Sequence, residues 1–325
     1  FSIIDIKQQR LISMASRCRY TALSYVWGDD RRNRGLNTRA TVGHLRKQGS
    51  IRHDDLTLPA TLRDALDLCH RLDVRYLWID SLCITQDDEA SKDVQIQHMD
   101  AVYRSATFTI VAASGRNADT GLPGLNASNP RRICQQSADI DGLPLVSRPP
   151  RPTIKNEIWA TRAWTLQEDY MSRRKLIFCD NLVVFRTSYG MQSFDLEENA
   201  YPLTSSVMRS VESHIQSQAA NSNGEGKPTA VFREYTSLVE DYSSRRLTYS
   251  GDIIKAFSGL LRHLSMEYQT RFVQGLPVSS LEVALLWLPT SKVTQRTDPS
   301  SGSVVAPSWS WAGWDGSRIQ YELLD

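Results

Sequence analysis

Tyr76–Ser114, YLWIDSLCITQDDEASKDVQIQHMDAVYRSATFTIVAAS, is the stretch whose reading decides the fold. Tyr76-Leu77-Trp78-Ile79 is a continuous apolar run, the pattern of a strand covered on both faces. Asp80 ends it, and Cys83, Gln86, Asp87, Asp88 and Glu89 come close behind. Ile96, Met99, Val102, Tyr103 and Ala106 then recur at spacings of three and four, which predicts one amphipathic helix. Thr107–Ala113 returns as a β-branched, apolar strand. The whole is a βαβ unit, with its polar residues just past the carboxyl end of the first strand. Open α/β sheets usually bind ligands at that end.

Working outward, Ala22-Leu23-Ser24-Tyr25-Val26-Trp27 predicts a strand closed by the turn Gly28-Asp29-Asp30. Leu58-Pro59 predicts a helix start with proline at the first helical position, and Leu62, Ala65, Leu66, Cys69 and Leu72 form its expected buried face. Strands and helices thus alternate as a mostly parallel sheet flanked by helices requires. Residues 115–157 are punctuated by glycine and proline and read as a long insertion, which at that length is expected to hide an element of its own. Thr161 is placed to cap a helix carrying Trp164, Leu166, Gln167 and Glu168. Lys175–Cys179 and Leu182–Arg186 read as a hairpin turning at Asp180-Asn181. The polar run 215–229 reads as a mobile loop or linker. Beyond it come two helical stripes, Val231/Tyr235/Leu238/Val239/Tyr242 and Ile253/Phe257/Leu260/Leu261/Leu264, and a further helical candidate at Leu281–Leu288. The end, PSWSWAGW, sets Trp309, Trp311 and Trp314 close together, and large faces packed into a core are the expected use of them. The expected domains are therefore 1–214, an α/β domain with its insertion, and 230–325, a mainly helical extension ending in the Trp-rich segment.

Composition excludes several classes. The chain has 325 residues, 41% hydrophobic and 23% charged, with a net charge of +2, so a polyanion-coating surface is not expected. Short basic clusters such as Arg173-Arg174-Lys175 read as solvated surface. Five cysteines without a C-x-x-C pair argue against a disulfide scaffold or zinc site, and no metal site is expected. No apolar run is long enough for a membrane span, and no signal-peptide pattern is present, so a cytoplasmic chain with reduced thiols is expected. A chain opening on Phe1 is expected to be a trimmed piece.

Each candidate residue has a functional and a structural reading. Asp80 is either one wall of a ligand cleft or a cap on the next helix. Cys83 is either a nucleophile or ligand contact or, as free cysteines commonly are, a small buried hydrophobe. Asp87, Asp88 and Glu89 suit a helix N-terminus without any metal. Neither G-x-G-x-x-G nor G-x-x-x-x-G-K occurs, which argues against Rossmann and P-loop nucleotide binding.

Several separated stretches resemble the fungal heterokaryon-incompatibility (HET) domain family: Tyr20–Gly28 (YTALSYVWG), Leu77–Gln86 (LWIDSLCITQ), Met99–Ala106 (MDAVYRSA) and Arg162–Glu168 (RAWTLQE). Tyr242–Gly259 and the closing PSWSWAGW are similar to segments beyond that domain in family members. Ala163 stands where the family usually has glycine, and Thr85 where an acidic residue is common. The resemblance implies a role in self/non-self recognition and programmed cell death, and a remote relationship to the flavodoxin-like TIR fold. In NAD-cleaving TIR domains a glutamate comes after a tryptophan-bearing motif, which makes Glu168 the implied catalytic carboxylate; Asp80, expected to form one wall of the cleft, is the other catalytic candidate. Tyr25, Trp27, Gly28, Asp29, Cys83, Arg162 and Trp164 are the expected ligand-binding residues. The structural reading of Glu168 is a surface carboxylate paired with Arg162 or Arg173, and that of Trp164 is core packing. The implied ligand is nucleotide-like, with NAD as substrate, no required cofactor and self-association as the mode of assembly. Two other functions remain open: a non-catalytic signalling module, and a biosynthetic enzyme reusing the scaffold.

Overall fold

The computed structural model describes residues 1–14, 18–28, 36–125, 129, 137–146, 154–180, 182–187, 190–193, 227–299 and 301–322. These fall into two compact units. The first is drawn from Phe1–Ala160 and Ser172–Pro202, the second from Thr161–Met171 and Leu203–Asp325.

The first unit is built on one mixed sheet. Its strands are β1 (Ser2–Asp5), β2 (Arg10–Ser13), β3 (Thr21–Ser24), β4 (Tyr76–Trp78), β5 (Thr109–Ala112), then, after a separate hairpin of β6 (Ser137–Ile140) and β7 (Leu143–Val146), β8 (Arg174–Phe178), β9 (Val183–Thr187) and β10 (Gly190–Ser193). Among the described residues the sheet has eight strands in the order β10-β9-β8-β5-β3-β4-β1-β2. β8, β5, β3 and β4 are parallel, and antiparallel strands extend the sheet at both sides. Every residue of β3 and of β5 is buried, as central parallel strands covered on both faces must be.

The βαβ reading of Tyr76–Ser114 holds in outline and is corrected in two ways. β4 and β5 are parallel, but β3 lies between them. The connecting helix is also two helices, α4 (Glu89–Gln97) and α5 (Met99–Ser105), meeting at His98, and only α5 contributes buried side chains. Asp88 caps α4 by accepting from the Ser91 amide across 3.3 Å and Glu89 stands in the first turn, while Asp87 Oδ1 accepts from the Arg39 amide at 2.8 Å.

Of the other helices in this unit, α1 is Val42–Leu45, α2 is Ala60–Arg71 and α3 is the single turn Asp80–Cys83. α2 buries Leu62, Ala65, Leu66, Leu68 and Cys69, worth about 1.5–3 kcal/mol for each large side chain. Two expectations about α2 fail. Pro59 is the extended residue before the helix, and Leu72, past its last turn, is 51% exposed. The insertion is tied to α2 by polar groups: the Asp64 carboxylate accepts from the Leu122 amide at 2.7 Å, and Thr61 Oγ1 accepts from Gly121 at 3.1 Å. The hidden element expected within 115–157 is the β6–β7 hairpin. The β8–β9 hairpin pairs Phe178 with Val183, as its sequence suggests.

The second unit contains α6 (Ala163–Met171), α7 (Lys227–Ser243), α8 (Ser258–Tyr268) and α9 (Leu281–Ala284), with short two-stranded sheets among them. Tyr235, Leu238, Val239 and Tyr242 are buried on α7, and Ile253, Phe257, Leu260, Leu261 and Leu264 are buried on or before α8. Of the linker expected at 215–229, residues 215–226 lie outside the described residues, and Lys227 already opens α7. The helix expected over Leu281–Leu288 is only four residues long. Trp287–Pro289 is instead a strand paired with Ile319–Tyr321, which draws the backbone straight. Of the three clustered tryptophans only Trp311 is buried. It sits edge-on to Tyr242 and Phe257, and its indole N–H donates to Tyr235 Oη at 3.0 Å, whereas Trp309 is 42% exposed.

Candidate functional site

Parallel strands place their carboxyl ends on one edge of the sheet, so residues far apart in sequence meet there. The chain goes from β3 to β4 on one side, then crosses back to β5 on the other. The strand order therefore reverses at the β3/β5 crevice, the kind of place where open α/β sheets bind ligands.

Around it, β3 leads into Tyr25-Val26-Trp27-Gly28, β4 into Ile79-Asp80-Ser81, and β5 into Ala113–Ala118. Trp27 Nε1 donates to Asp80 Oδ2 at 2.8 Å, and the Ser81 amide donates to Asp80 Oδ1 at 2.7 Å. Tyr25 Oη donates to Ser81 Oγ at 3.0 Å. Burial pushes the Asp80 carboxyl up to about 6, against the lowering influence of the Ser81 amide, the Trp27 indole and the Tyr25 hydroxyl. Asp80 is in the first turn of α3 rather than at its N-cap, so its amide partner is local while its indole partner comes from the segment after β3.

Gly28 has φ +84, and a Cβ there would stand 2.4 Å from Asn117 Cβ, so both conformation and space demand glycine. This close approach joins the β3 end to the loop after β5, where Ala118 N–H donates to Trp27 O at 3.3 Å. Asn117 Oδ1 in turn accepts from the Asp119 amide, shaping the loop as an Asx turn. Behind the site, Trp159 Nε1 donates to Ser24 Oγ at 2.6 Å. The α3 turn is held from below: Asn37 N–H donates to Ser81 O at 2.8 Å, and Gln86 Nε2 donates to Asp80 O at 3.1 Å.

The remaining candidates have other settings. Cys83 is 1% exposed, receives the Ile79 amide on its Sγ at 3.4 Å, and is pushed up to about 12 by burial. A thiol so placed is protonated near neutrality and fits the small-hydrophobe reading. Asp29 lies outside the described residues. Arg162, Trp164 and Glu168 belong to the second unit: Arg162 immediately precedes α6, which carries the other two. There Glu168 is 6% exposed, unlike the surface carboxylate of its structural reading, and Trp164 is partly buried. Arg162 Nη2 donates to Thr248 Oγ1 at 3.0 Å, and Gln167 Oε1 accepts from the Gly259 amide at 2.9 Å. RAWTLQE and the run Tyr242–Gly259 thus bond to each other.

Ser81, Ser114 and Asn117 escaped the sequence reading. Ser114, just past β5, buries a hydroxyl without a hydrogen-bond partner among the described residues. Both Ser114 and Asn117 come after a buried strand's carboxyl end, the same signal that picked out Asp80. Chemically, this edge offers a carboxyl group that exchanges its proton near neutrality, a 37%-exposed indole able to stack on a planar group, and nearby hydroxyls.

A mixed open sheet with helices and a polar crevice at its carboxyl edge defines the class of open-sheet α/β domains. Residues 20–168 match the family described as heterokaryon incompatibility protein (HET), and this segment belongs to that family. The chain is also similar to heterokaryon incompatibility protein 6, OR allele, of Neurospora crassa: 34% identical over 102 residues, covering 28% of this chain. It spans only 14% of that relative's length. No solved structure matches. Among the described residues, no helix is long and apolar enough to cross a membrane.

Proposed function

We propose that the chain acts in fungal self/non-self recognition leading to programmed cell death, and that it does so by cleaving NAD between nicotinamide and ribose. The parallel strands, numbered among themselves in chain order, run 2-1-3-4. This is the flavodoxin-type order and supports a TIR-like reading of the fold. The observation that carries the proposal is the Trp27–Asp80 pair at the carboxyl ends of β3 and β4. Trp27 stacks on a base or the nicotinamide ring. Asp80, ionised above about pH 6, faces the ribose as positive charge develops at C1′. The C1′–N bond breaks, its electron pair leaves on nicotinamide, and water adds to C1′. The released proton passes to a carboxylate and then to solvent. Glu168, the catalytic carboxylate that the family resemblance implies, ends the matched segment and belongs to the second unit, and its part in the reaction is tested on its own. No cofactor is required; self-association and a cytoplasmic setting belong to the same reading.

Nicotinamide release from NAD is the test. Asp80→Asn and Glu168→Gln should each lower kcat by about a hundredfold or more. Full activity in both variants would remove the assigned mechanism, and no release even under enforced oligomerisation would remove the activity.

A second reading has one observation in its favour. Both Asp80 oxygens already accept protein donors, as a structural carboxylate would. A non-catalytic module would keep signalling after Asp80→Asn provided the domain stays folded, and would release no nicotinamide.

A further inference from the structure

The opposite edge of the sheet holds a second feature. At the amino ends of β3, β5 and β8 lies an open cavity of about 530 Å³, lined by Arg19, Arg104, Ser105, Thr107, Arg173 and Arg174. The volume lies within the range of small-molecule sites. Four guanidinium-bearing residues from three chain segments converge on it: Arg19 just before β3, Arg104 in the last turn of α5, and Arg173-Arg174 at the start of β8. Among the described residues, no carboxylate lines it.

The frame around the cavity is fixed by hydrogen bonds. Thr107 N–H donates to Tyr20 O at 2.8 Å, Tyr20 Oη donates to Val102 O at 2.6 Å, and Thr109 Oγ1 lies 2.7 Å from Ser172 Oγ. The bland account of these arginines covers only part of the arrangement. Arg104 suits the carboxyl end of a helix, and Arg174 Nη1 reaches Thr107 O at 3.5 Å, the outer limit of a hydrogen bond. Neither explains why Arg19 and Arg173 turn to the same cavity. Arginine's planar fork matches phosphate oxygens two at a time, and the Ser105 and Thr107 hydroxyls add neutral donors.

We propose that this cavity binds a small ligand carrying clustered phosphates, at a site separate from the Asp80 edge. Several guanidinium groups around one space suit several phosphates on one compact scaffold better than a single inorganic anion. The ligand is either a soluble polyphosphate or a polyphosphorylated lipid headgroup. Because it binds the folded state, it raises thermal stability.

The experiment is calorimetric titration of the protein with inositol hexakisphosphate at about 150 mM salt, a concentration that screens diffuse surface attraction. Thermal melts run alongside, together with sedimentation on vesicles with and without phosphatidylinositol bisphosphate. The expected result is saturable binding and a melting temperature raised by about 5 °C near saturation. Arg104→Gln/Arg174→Gln should weaken binding by about tenfold or more, while Arg52→Gln/Arg71→Gln, with the same charge loss outside the cavity, should change it by no more than about twofold. If the first double variant does not fold, the exposed pair Arg19→Gln/Arg173→Gln replaces it. Sedimentation with the phosphoinositide vesicles, competed by inositol hexakisphosphate, identifies the lipid source; binding of the soluble probe alone identifies the free one. No saturable binding of either probe below about 1 mM, or equal weakening by the control pair, overturns the proposal. Asp80→Asn should leave this binding unchanged whatever it does to nicotinamide release.

Discussion

Trp27 and Asp80 lie 53 positions apart in the chain, yet the indole N–H of one donates to Oδ2 of the other at 2.8 Å. The pair exists because β3 and β4 are parallel neighbours, so both leave the sheet at the same edge. The indole lies three residues past the end of β3, in a segment the chain has finished long before it reaches the carboxylate. Anything that shifts β3 against β4 changes the donor available to Asp80.

The raised Asp80 carboxyl sets a direction for stability. Its ordinary value is 3.8 and its folded value about 6. Between those values the folded protein keeps a proton that the unfolded chain has released. The stabilising difference is fully present below the unfolded value and is lost as pH rises through the folded one, by about 3 kcal/mol at most. Asp80→Asn has no such proton. Urea unfolding of both proteins should therefore show the variant gaining on the parent between about pH 4 and pH 6.5 and running parallel to it above. A constant difference across that range would mean that burial does not hold the Asp80 proton.

Gly28→Ala should cost about 2–4 kcal/mol, combining an unfavourable positive φ with a clash. Asn117 Cβ is the obstacle, at 2.4 Å from the added methyl. Asn117→Gly in the same chain removes the worst contact, leaving the Asn117 Cα at 3.2 Å and the φ strain, so the double variant should recover part of the loss and no more. Thermal melts of the three variants check this. Full recovery would show that conformation contributes nothing.

The central parallel strands are legible in the sequence, because a fully buried parallel strand writes itself as an unbroken apolar run such as Ile110-Val111-Ala112. The short strand Trp287–Pro289 instead reads as helix. Strand order is not legible. Nothing local says that β3 slips between β4 and β5, since pairing is a contest among distant segments. Asp80, Trp27 and Gly28 could be picked out because a polar residue or a glycine at the end of a buried run is locally conspicuous. Ser114 is equally conspicuous at the end of its own buried run. Which residues α6 bonds to was beyond reach: the Gln167–Gly259 bond joins positions 92 apart, with no periodicity to announce it. Leu72 misled for a simpler reason. The apolar spacing of α2 continues through it, but the helix ends at Arg71.

That Gln167 bond is itself testable. Its carbonyl oxygen satisfies a buried backbone N–H at 2.9 Å, and Gln167 is 1% exposed. Gln167→Leu keeps roughly the volume and removes the acceptor, leaving the Gly259 amide unpaired at a cost of about 1–3 kcal/mol. Hydrogen exchange at Gly259 should accelerate by about tenfold or more if that amide opens locally. Unchanged protection there would mean that the amide does not depend on Gln167.

Trp27→Phe separates the indole's two roles. Phenylalanine keeps an aromatic face for stacking but cannot donate to Asp80. Losing a donor to the ionised form raises the carboxyl further, by about one unit for a bond worth about 1.4 kcal/mol. If NAD cleavage needs ionised Asp80, the acidic limb of the pH–rate profile should move up by that amount, with the rate above about pH 8 little changed. Trp27→Ala should add a rise in KM at every pH, because it removes the stacking face as well. If Trp27→Phe raises KM without moving the acidic limb, the indole serves ligand contact only, and the limb belongs to another group.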